Sequence, residues 1–315
     1  MNSITKIEPV ENMLKIGNYL KLFRVNYSGL RIYVRENPFA YYSGLTGALS
    51  AATFSGDPDK KRLKGWRESM IDSFGSKNAD DFLQMTADFG TLLHSALVTI
   101  KEQGKINWTE EQDKAFEYFV MSYREKYLEP DLKVIKKMTY EYQKHVSSLL
   151  QFCYDCVHEI YAIEVPAIWE NQKIATPIDM FCSCRQTPKG NHAKTTINIK
   201  TSSQISKHQF DQVACEMSMW NQTYSDKADF TAILRTKDWT ESKVPTYEYK
   251  YIDKENADKL ALNCINRLDL CLQSDASYYP EPFNKSFEGE TKLGEQPQIV
   301  IKTLQEEFET VVMSK

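Results

Sequence analysis

Three extended runs and one helical run between residues 163 and 220 hold the side chains best suited to chemistry. The first run carries Glu164, the second carries Asp179, and the third ends at Lys200 after several β-branched residues. Runs of this kind predict β-strands, and the second is apolar apart from its one carboxylate. A buried carboxylate is costly unless a metal or another cation accompanies it. The sequence therefore predicts that two acids and an amine from neighbouring strands converge on one cation.

The third strand adds two further candidate ligands for that cation. Residues 198 and 200 lie two apart, so their side chains face the same side of the strand. Asn198 offers a neutral amide oxygen but no charge, so we expect a lower metal affinity than an acid would give. The backbone carbonyl of Ile199 is the other oxygen that we expect at the metal, because the strand directs it toward the neighbouring acid.

The helical run at residues 208–220 follows the third strand and carries Gln212. We expect the Gln212 side chain to align Lys200 or a phosphate. Packing alone also explains this helix, since its apolar residues recur at helical spacing. Both interpretations stay open at the level of sequence.

The order of these residues resembles the PD-(D/E)XK nuclease superfamily, and within it the RecB-like exonucleases of phage recombination and mitochondrial genome maintenance. The matching positions are Glu164, Asp179, Asn198-Ile199-Lys200 and Gln212. Upstream, residues 41–49 lead to a Leu-x-x-Trp-Arg segment, and residues 88–96 contain a Gly-Thr-x-x-His segment with His94. The resemblance covers residues 41 to 236. It departs from the family at Asn198, where the family has Asp or Glu.

The resemblance implies an α/β (α+β mixed) fold with a restriction-endonuclease-like core, a central mixed sheet flanked by helices, and a helical N-terminal elaboration. It implies hydrolysis of DNA with Mg²⁺ or Mn²⁺ in recombination, repair or replication. The implied catalytic residues are Lys200, Glu164, Asp179 and Gln212. The implied metal ligands are Asp179, Glu164, Asn198, Ile199 and His94. Contacts to the DNA backbone are expected from Lys60, Lys61, Arg62, Lys64, Thr201 and Ser202.

Asn198 leaves three interpretations of activity open. The protein is an active exonuclease with a weaker or shifted metal site, or the acid has been replaced by an inactivating substitution. In the third interpretation, it is a catalytically silent pseudo-nuclease that binds DNA ends without cutting them.

The charge and cysteine content limit the partners and the compartment. The net charge is −4 and the pI is about 5.9, so DNA binding requires a local basic groove. Seven cysteines without a secretory signal predict reduced thiols and a cytoplasmic protein in a bacterial or phage-infected cell. The expected partner is DNA, with single-stranded or duplex ends, and a single-strand annealing protein and an oligomer are compatible with the family. No membrane span is expected.

The pattern of apolar and turn residues divides the chain into four regions. Residues 1–40 are predicted as a β-rich N-terminal segment and residues 41–160 as a helical region, with helices at 109–127 and 131–163. Residues 161–275 form the expected nuclease core, which ends with strands at 229–234 and 246–252 and a helix at 254–272. Residues 276–315 are expected to form a C-terminal extension. One globular unit is predicted.

Overall fold

A mixed β-sheet runs through the part of the chain that the structure describes. The computed structural model describes residues 4–9, 19–27, 30–52, 68, 76–124, 132–185, 192–202, 204–236 and 244–274. The strands are β1 Ile4–Pro9, β2 Phe23–Tyr27, β3 Leu30–Arg35, β4 Ala40–Gly44, β5 Val157–Trp169, β6 Ile174–Cys184, β7 Ala193–Lys200, β8 Phe230–Thr236 and β9 Tyr247–Asp253. The helices are α1 Leu45–Ala51, α2 Ser76–Gln103, α3 Trp108–Arg124, α4 Leu132–Cys156, α5 Lys207–Thr223 and α6 Lys254–Ser274.

The sheet combines antiparallel hairpins with two parallel pairs. Its order is β1-β2-β3-β4-β6-β7-β8-β9, with β5 pairing with β6 off this path. Strand β4 is parallel to β6, and β7 is parallel to β8. The remaining pairs are antiparallel. Parallel neighbours need a crossover connection, and α5 supplies it between β7 and β8.

Helices cover both faces of the sheet. Apolar residues of α2, α3 and α4 pack with Met180 and Ile197 on one face, which we call the α2 face. Apolar residues of α1, α5 and α6 pack with Ile178 and Phe181 on the other, which we call the α5 face. Burial of a strand on both faces explains why β6 is apolar almost throughout, because each alternate set of side chains meets a helix layer.

The alternation of buried side chains breaks on β5 and β6 beside the two acids. Ile163 packs on the α2 face and Val165 on the α5 face, although residues two apart in a regular strand share a face. Met180 and Ile178 divide in the same way. Because Ile163 pairs with Met180 and Val165 with Ile178, the two acids lie across from each other at this break.

The architecture confirms the expected α/β class with a central mixed sheet flanked by helices. The strand, strand, strand, helix order of residues 163–220 is also confirmed. The predicted helix at 131–163 is wrong beyond Cys156, where a strand begins at Val157. The reason is local composition, since β-branched residues at 157, 160 and 163 favour a strand.

The N-terminal residues contribute to the same sheet as the expected core. Strands β2 and β3 lie in the predicted β-rich segment. The predicted helical region 41–160 is wrong at its start, where residues 41–44 belong to strand β4, which pairs with β3. Tyr41 and Tyr42 of β4 are buried and belong to the core of this N-terminal part of the sheet. Among the described residues, none of the helices is long and apolar enough to cross a membrane.

Candidate metal centre

Three side chains from three different elements converge at the break in the sheet. His94 comes from α2, Glu164 from β5 and Asp179 from β6. One potential ligand atom from each residue lies within 4.8 Å of the other two. His94 Nδ1 contacts Glu164 Oε1, and His94 Nε2 lies 3.6 Å from Asp179 Oδ2. The predicted convergence of the two acids is therefore present, with the predicted histidine beside them.

Glu164 reaches the cluster through an unusual backbone conformation. Its φ angle is +55°, in the left-handed region that side-chain-bearing residues seldom adopt. Such a conformation costs about 1–3 kcal/mol and persists only where the surrounding structure enforces it. Here the flanking residues Ile163 and Val165 are fully buried on opposite faces, and their packing enforces the break.

Asp179 is fixed by the backbone of the neighbouring strand. The ladder between β6 and β7 extends from Cys184 to Met180, where Met180 pairs with Ile197. Beyond it, the Ile199 N–H donates to Asp179 Oδ2 at 2.7 Å. The carboxylate thus accepts a bond that a backbone carbonyl would accept in a regular ladder. The Ile199 carbonyl as a metal ligand stays a prediction.

The electrostatics of the cluster favour charged forms. Burial alone would lower the pKa of His94, but the Glu164 and Asp179 carboxylates outweigh it and hold the pKa well above its usual value. Burial likewise opposes ionisation of Asp179, but His94, Lys200 and the Ile199 N–H together lower its pKa. These shifts favour an imidazolium at His94 and an ionised carboxylate at Asp179.

Glu216, which was not predicted as a site residue, contacts two residues that were. These are the predicted ligand Asn198 and the predicted positioning residue Gln212. Both donate to Glu216 Oε1, Asn198 through Nδ2 and Gln212 through Nε2, each at 2.8 Å. Glu216 is 1% exposed. The sequence held one signal of this contact, since Gln212 and Glu216 are four residues apart and therefore share a helix face. The bond partner of Gln212 is this carboxylate.

Burial and the nearby Asp179 charge raise the pKa of Glu216 to about 8. Lys200 and the two amide donors act in the opposite direction. Burial and the Asp179 charge thus favour the neutral form of this acid. Because the Asp179 and Lys200 charges act on Glu216, this acid of α5 is electrostatically linked to the His94–Glu164–Asp179 cluster.

The predicted DNA-contacting residues divide into two groups. Thr201 and Ser202 follow β7 directly and are half-buried in the segment leading to α5. The Ser202 hydroxyl donates to the Gln204 carbonyl at 3.0 Å and accepts from Gln209 Nε2 at 3.3 Å. The basic residues Lys60, Lys61, Arg62 and Lys64 lie outside the described residues.

The donor set of the cluster fits a divalent cation. Two carboxylates and an imidazole are ligands of Mn²⁺ and other first-row divalent ions, and the carboxylates also suit Mg²⁺. Asn198 supplies a further indication, because its Oδ1 is buried without a hydrogen-bond partner among the described residues. A buried acceptor in this state costs about 1–3 kcal/mol, which a cation or its bound water would offset.

Comparisons with known proteins do not assign this chain to a family. No family model matches the sequence, and comparison with curated proteins finds no similar sequence.

Proposed function

We propose that this protein is a metal-dependent nuclease that hydrolyses phosphodiester bonds of DNA. The observation that carries the proposal is the convergence of ligand atoms of His94, Glu164 and Asp179 within 4.8 Å. The Lys200 charge contributes to the lowered pKa of Asp179. An imidazole and two carboxylates can hold a divalent cation that activates water for phosphodiester hydrolysis, and the Lys200 amine could stabilise charge on the phosphate. The order of these residues on strands β5, β6 and β7 supports a restriction-endonuclease-like core of the RecB type.

Each residue has a separate role in this proposal. Mg²⁺ or Mn²⁺ would polarise the phosphate and lower the pKa of a bound water. His94, Glu164 and Asp179 would hold the cation, and Lys200 would stabilise the charge that develops on the phosphate oxygens. The Ile199 N–H would keep the Asp179 carboxylate in place through its 2.7 Å bond. Thr201 and Ser202 would contact the DNA backbone where it leaves the site.

A DNA-end binding protein without nuclease activity is the second candidate, and Asn198 is the observation that favours it. The amide stands where the resembled family has an acid, and its Nδ2 is bound to Glu216. This candidate predicts salt-dependent binding of DNA ends with no cleavage in any metal.

The test is digestion of end-labelled single-stranded and duplex DNA by purified protein with Mn²⁺ or Mg²⁺. We expect metal-dependent digestion that Lys200→Ala reduces by at least about 100-fold, since removal of one charge-stabilising donor typically costs 10²–10³ in rate. Lys207→Ala is the matched control, because Lys207 is exposed at the start of α5. Its activity should stay close to that of the wild type.

The outcomes separate the two candidates. If no metal supports digestion and the protein still binds DNA ends, the nuclease proposal is rejected and the DNA-end binding protein is supported. Digestion that survives Lys200→Ala unchanged would show that the activity comes from a contaminant or from another site.

A further inference from the structure

Glu216 is a buried acid on α5 that has no role in the proposed hydrolysis of DNA. It lies one helical turn after Gln212 and is 1% exposed. We propose that Glu216 supplies a further carboxylate, from α5, to the cation site of His94, Glu164 and Asp179, in place of the charge that Asn198 lacks. This inference deepens the proposed function and rests on it for the presence of a cation.

The two carboxyl oxygens of Glu216 differ in their hydrogen bonds. Asn198 Nδ2 and Gln212 Nε2 both donate to Oε1, each at 2.8 Å. Among the residues that the structure describes, no hydrogen bond to Oε2 is present. Asn198 belongs to β7 and Gln212 belongs to α5, so two elements fix the carboxylate from different directions. A side chain held in this way is pre-organised, and its remaining oxygen is available to a ligand.

Strand β7 links Glu216 to the cluster, because Asn198, which donates to Glu216, precedes Ile199, whose N–H donates to Asp179 Oδ2. The neighbouring Asp179 carboxylate disfavours the charged form of Glu216, and Lys200 favours it. A divalent cation next to both acids would favour the charged form of Glu216, because it would offset the repulsion from Asp179. Asp179, which His94 and the Ile199 N–H contact, would share the cation with Glu216.

A second observation points to a ligand at the same place. Asn198 is 3% exposed, and its Oδ1 has no hydrogen-bond partner in the described part of the chain. Because Nδ2 is bound to Glu216, the orientation of this amide is set, and Oδ1 remains as an acceptor without a donor. A cation or its bound water between Asp179 and Glu216 would satisfy that oxygen.

The competing explanation is a structural one. A neutral carboxylic acid at position 216 could simply accept hydrogen bonds from Asn198 and Gln212 and hold α5 against β7. In that case, a glutamine at position 216 would serve as well, since it keeps the acceptor oxygen and the length of the side chain. The two explanations therefore differ in what Glu216→Gln does to metal affinity.

The experiment measures Mn²⁺ binding to the full chain by titration calorimetry, without DNA. Four proteins are compared: the wild type, Glu216→Gln, Asn198→Asp/Glu216→Gln and Asp211→Asn. We expect Glu216→Gln to weaken Mn²⁺ binding by at least about 10-fold, the lower end for loss of a metal-site partner. The double variant returns the carboxylate to β7 and should recover most of that affinity.

Asp211→Asn is the matched control for loss of a buried acid from the same helix. Asp211 is 8% exposed and pairs with Arg267 Nη2 at 2.8 Å, so its charge is already compensated on α6. Its Mn²⁺ affinity should equal that of the wild type. Should Glu216→Gln fail to fold, Glu216→Asp replaces it, because retracting the carboxylate by one methylene should also weaken binding.

Two results would overturn the inference. One is Mn²⁺ affinity unchanged in Glu216→Gln, or unchanged in Glu216→Asp if that variant is used. The other is a double variant that binds no better than Glu216→Gln. A wild type that binds no Mn²⁺ overturns both this inference and the nuclease proposal. Mn²⁺ binding that depends on Glu216 without DNA digestion overturns the nuclease alone.

Discussion

At the residue scale, Asp179 has two separable functions. Its Oδ2 accepts the Ile199 N–H at 2.7 Å, which holds β6 and β7 together beyond the end of their regular ladder. The same carboxylate lies 3.6 Å from His94 Nε2 and is a candidate metal ligand. The first function needs only an acceptor oxygen, whereas the second needs a negative charge.

Asp179→Ala and Asp179→Asn should separate these functions. Asp179→Ala leaves the buried Ile199 N–H without an acceptor, so we expect a loss of about 1–3 kcal/mol in the free energy of unfolding. Asp179→Asn keeps an acceptor oxygen and should lose less, while both variants lose Mn²⁺ binding. Chemical denaturation without metal measures the first effect, and calorimetry measures the second. Equal destabilisation by the two variants would contradict the role of the Ile199 bond.

At the element scale, the turn between β5 and β6 is tied to the N-terminal strands by one carboxylate. Glu170 accepts from Tyr42 of β4 at 2.8 Å and from Lys173 at 2.6 Å, and it pairs with Arg35 of β3 at 3.3 Å. Burial would raise the pKa of Glu170, but the bonds from Lys173 and Tyr42 and the positive charges outweigh it and lower the pKa. The turn therefore contributes to the junction of β4 and β6.

Glu170→Gln tests this contribution through its dependence on pH. A lowered carboxyl pKa stabilises the fold above the unfolded pKa, and the stabilisation is lost as pH falls through the folded pKa. Because the side chain is 48% exposed and screened by solvent, we expect a loss of about 1 kcal/mol or less at pH 7. The difference from the wild type should shrink as pH falls below about 4.5, the ordinary value.

Chemical denaturation of both proteins at pH 7 and pH 3 provides the measurement. Glu159→Gln is the control, since Glu159 is an exposed acid on β5. A destabilisation of Glu170→Gln that is equally large at both pH values would rule out the ionic contribution.

At the scale of the whole molecule, the candidate metal centre joins the two helical layers through the sheet. His94 reaches it from α2 on one face. On the other face, Glu216 of α5 accepts from Asn198, the residue before the Ile199 N–H that holds Asp179. A cation bound there contacts groups that only the folded chain brings together. Binding should therefore stabilise the whole domain and not only one loop.

This linkage predicts a metal-dependent shift in thermal stability. At Mn²⁺ concentrations about 100 times the dissociation constant, the wild type should gain about 2.7 kcal/mol. His94→Ala should lose most of this gain because one ligand is missing. His158→Ala, which removes an exposed histidine of β5, should keep it. Thermal unfolding followed by circular dichroism, with and without Mn²⁺, checks the prediction, and an equal gain in both variants would contradict it.

Much of the architecture followed from local pattern alone. The β-branched runs around Glu164, Asp179 and Lys200 predicted three successive strands, and helical spacing predicted the helix with Gln212. These signals are local, because strand and helix periodicity depend on neighbouring residues. The helix at 131–163 was predicted too long for the same reason, since its apolar period continues into the strand that begins at Val157.

The sequence by itself determined which residue types are present at which strand positions, and hence that two acids and a lysine lie on adjacent extended segments. Only the tertiary structure decided that His94 contacts both acids, that the Ile199 N–H holds Asp179, and that Asn198 and Gln212 share one buried carboxylate. The physical reason is distance along the chain: contacts between β7 and α5, or between α2 and β5, depend on how the layers pack. That packing placed Glu216, which lies on a helix, in hydrogen-bond contact with Asn198 on a strand.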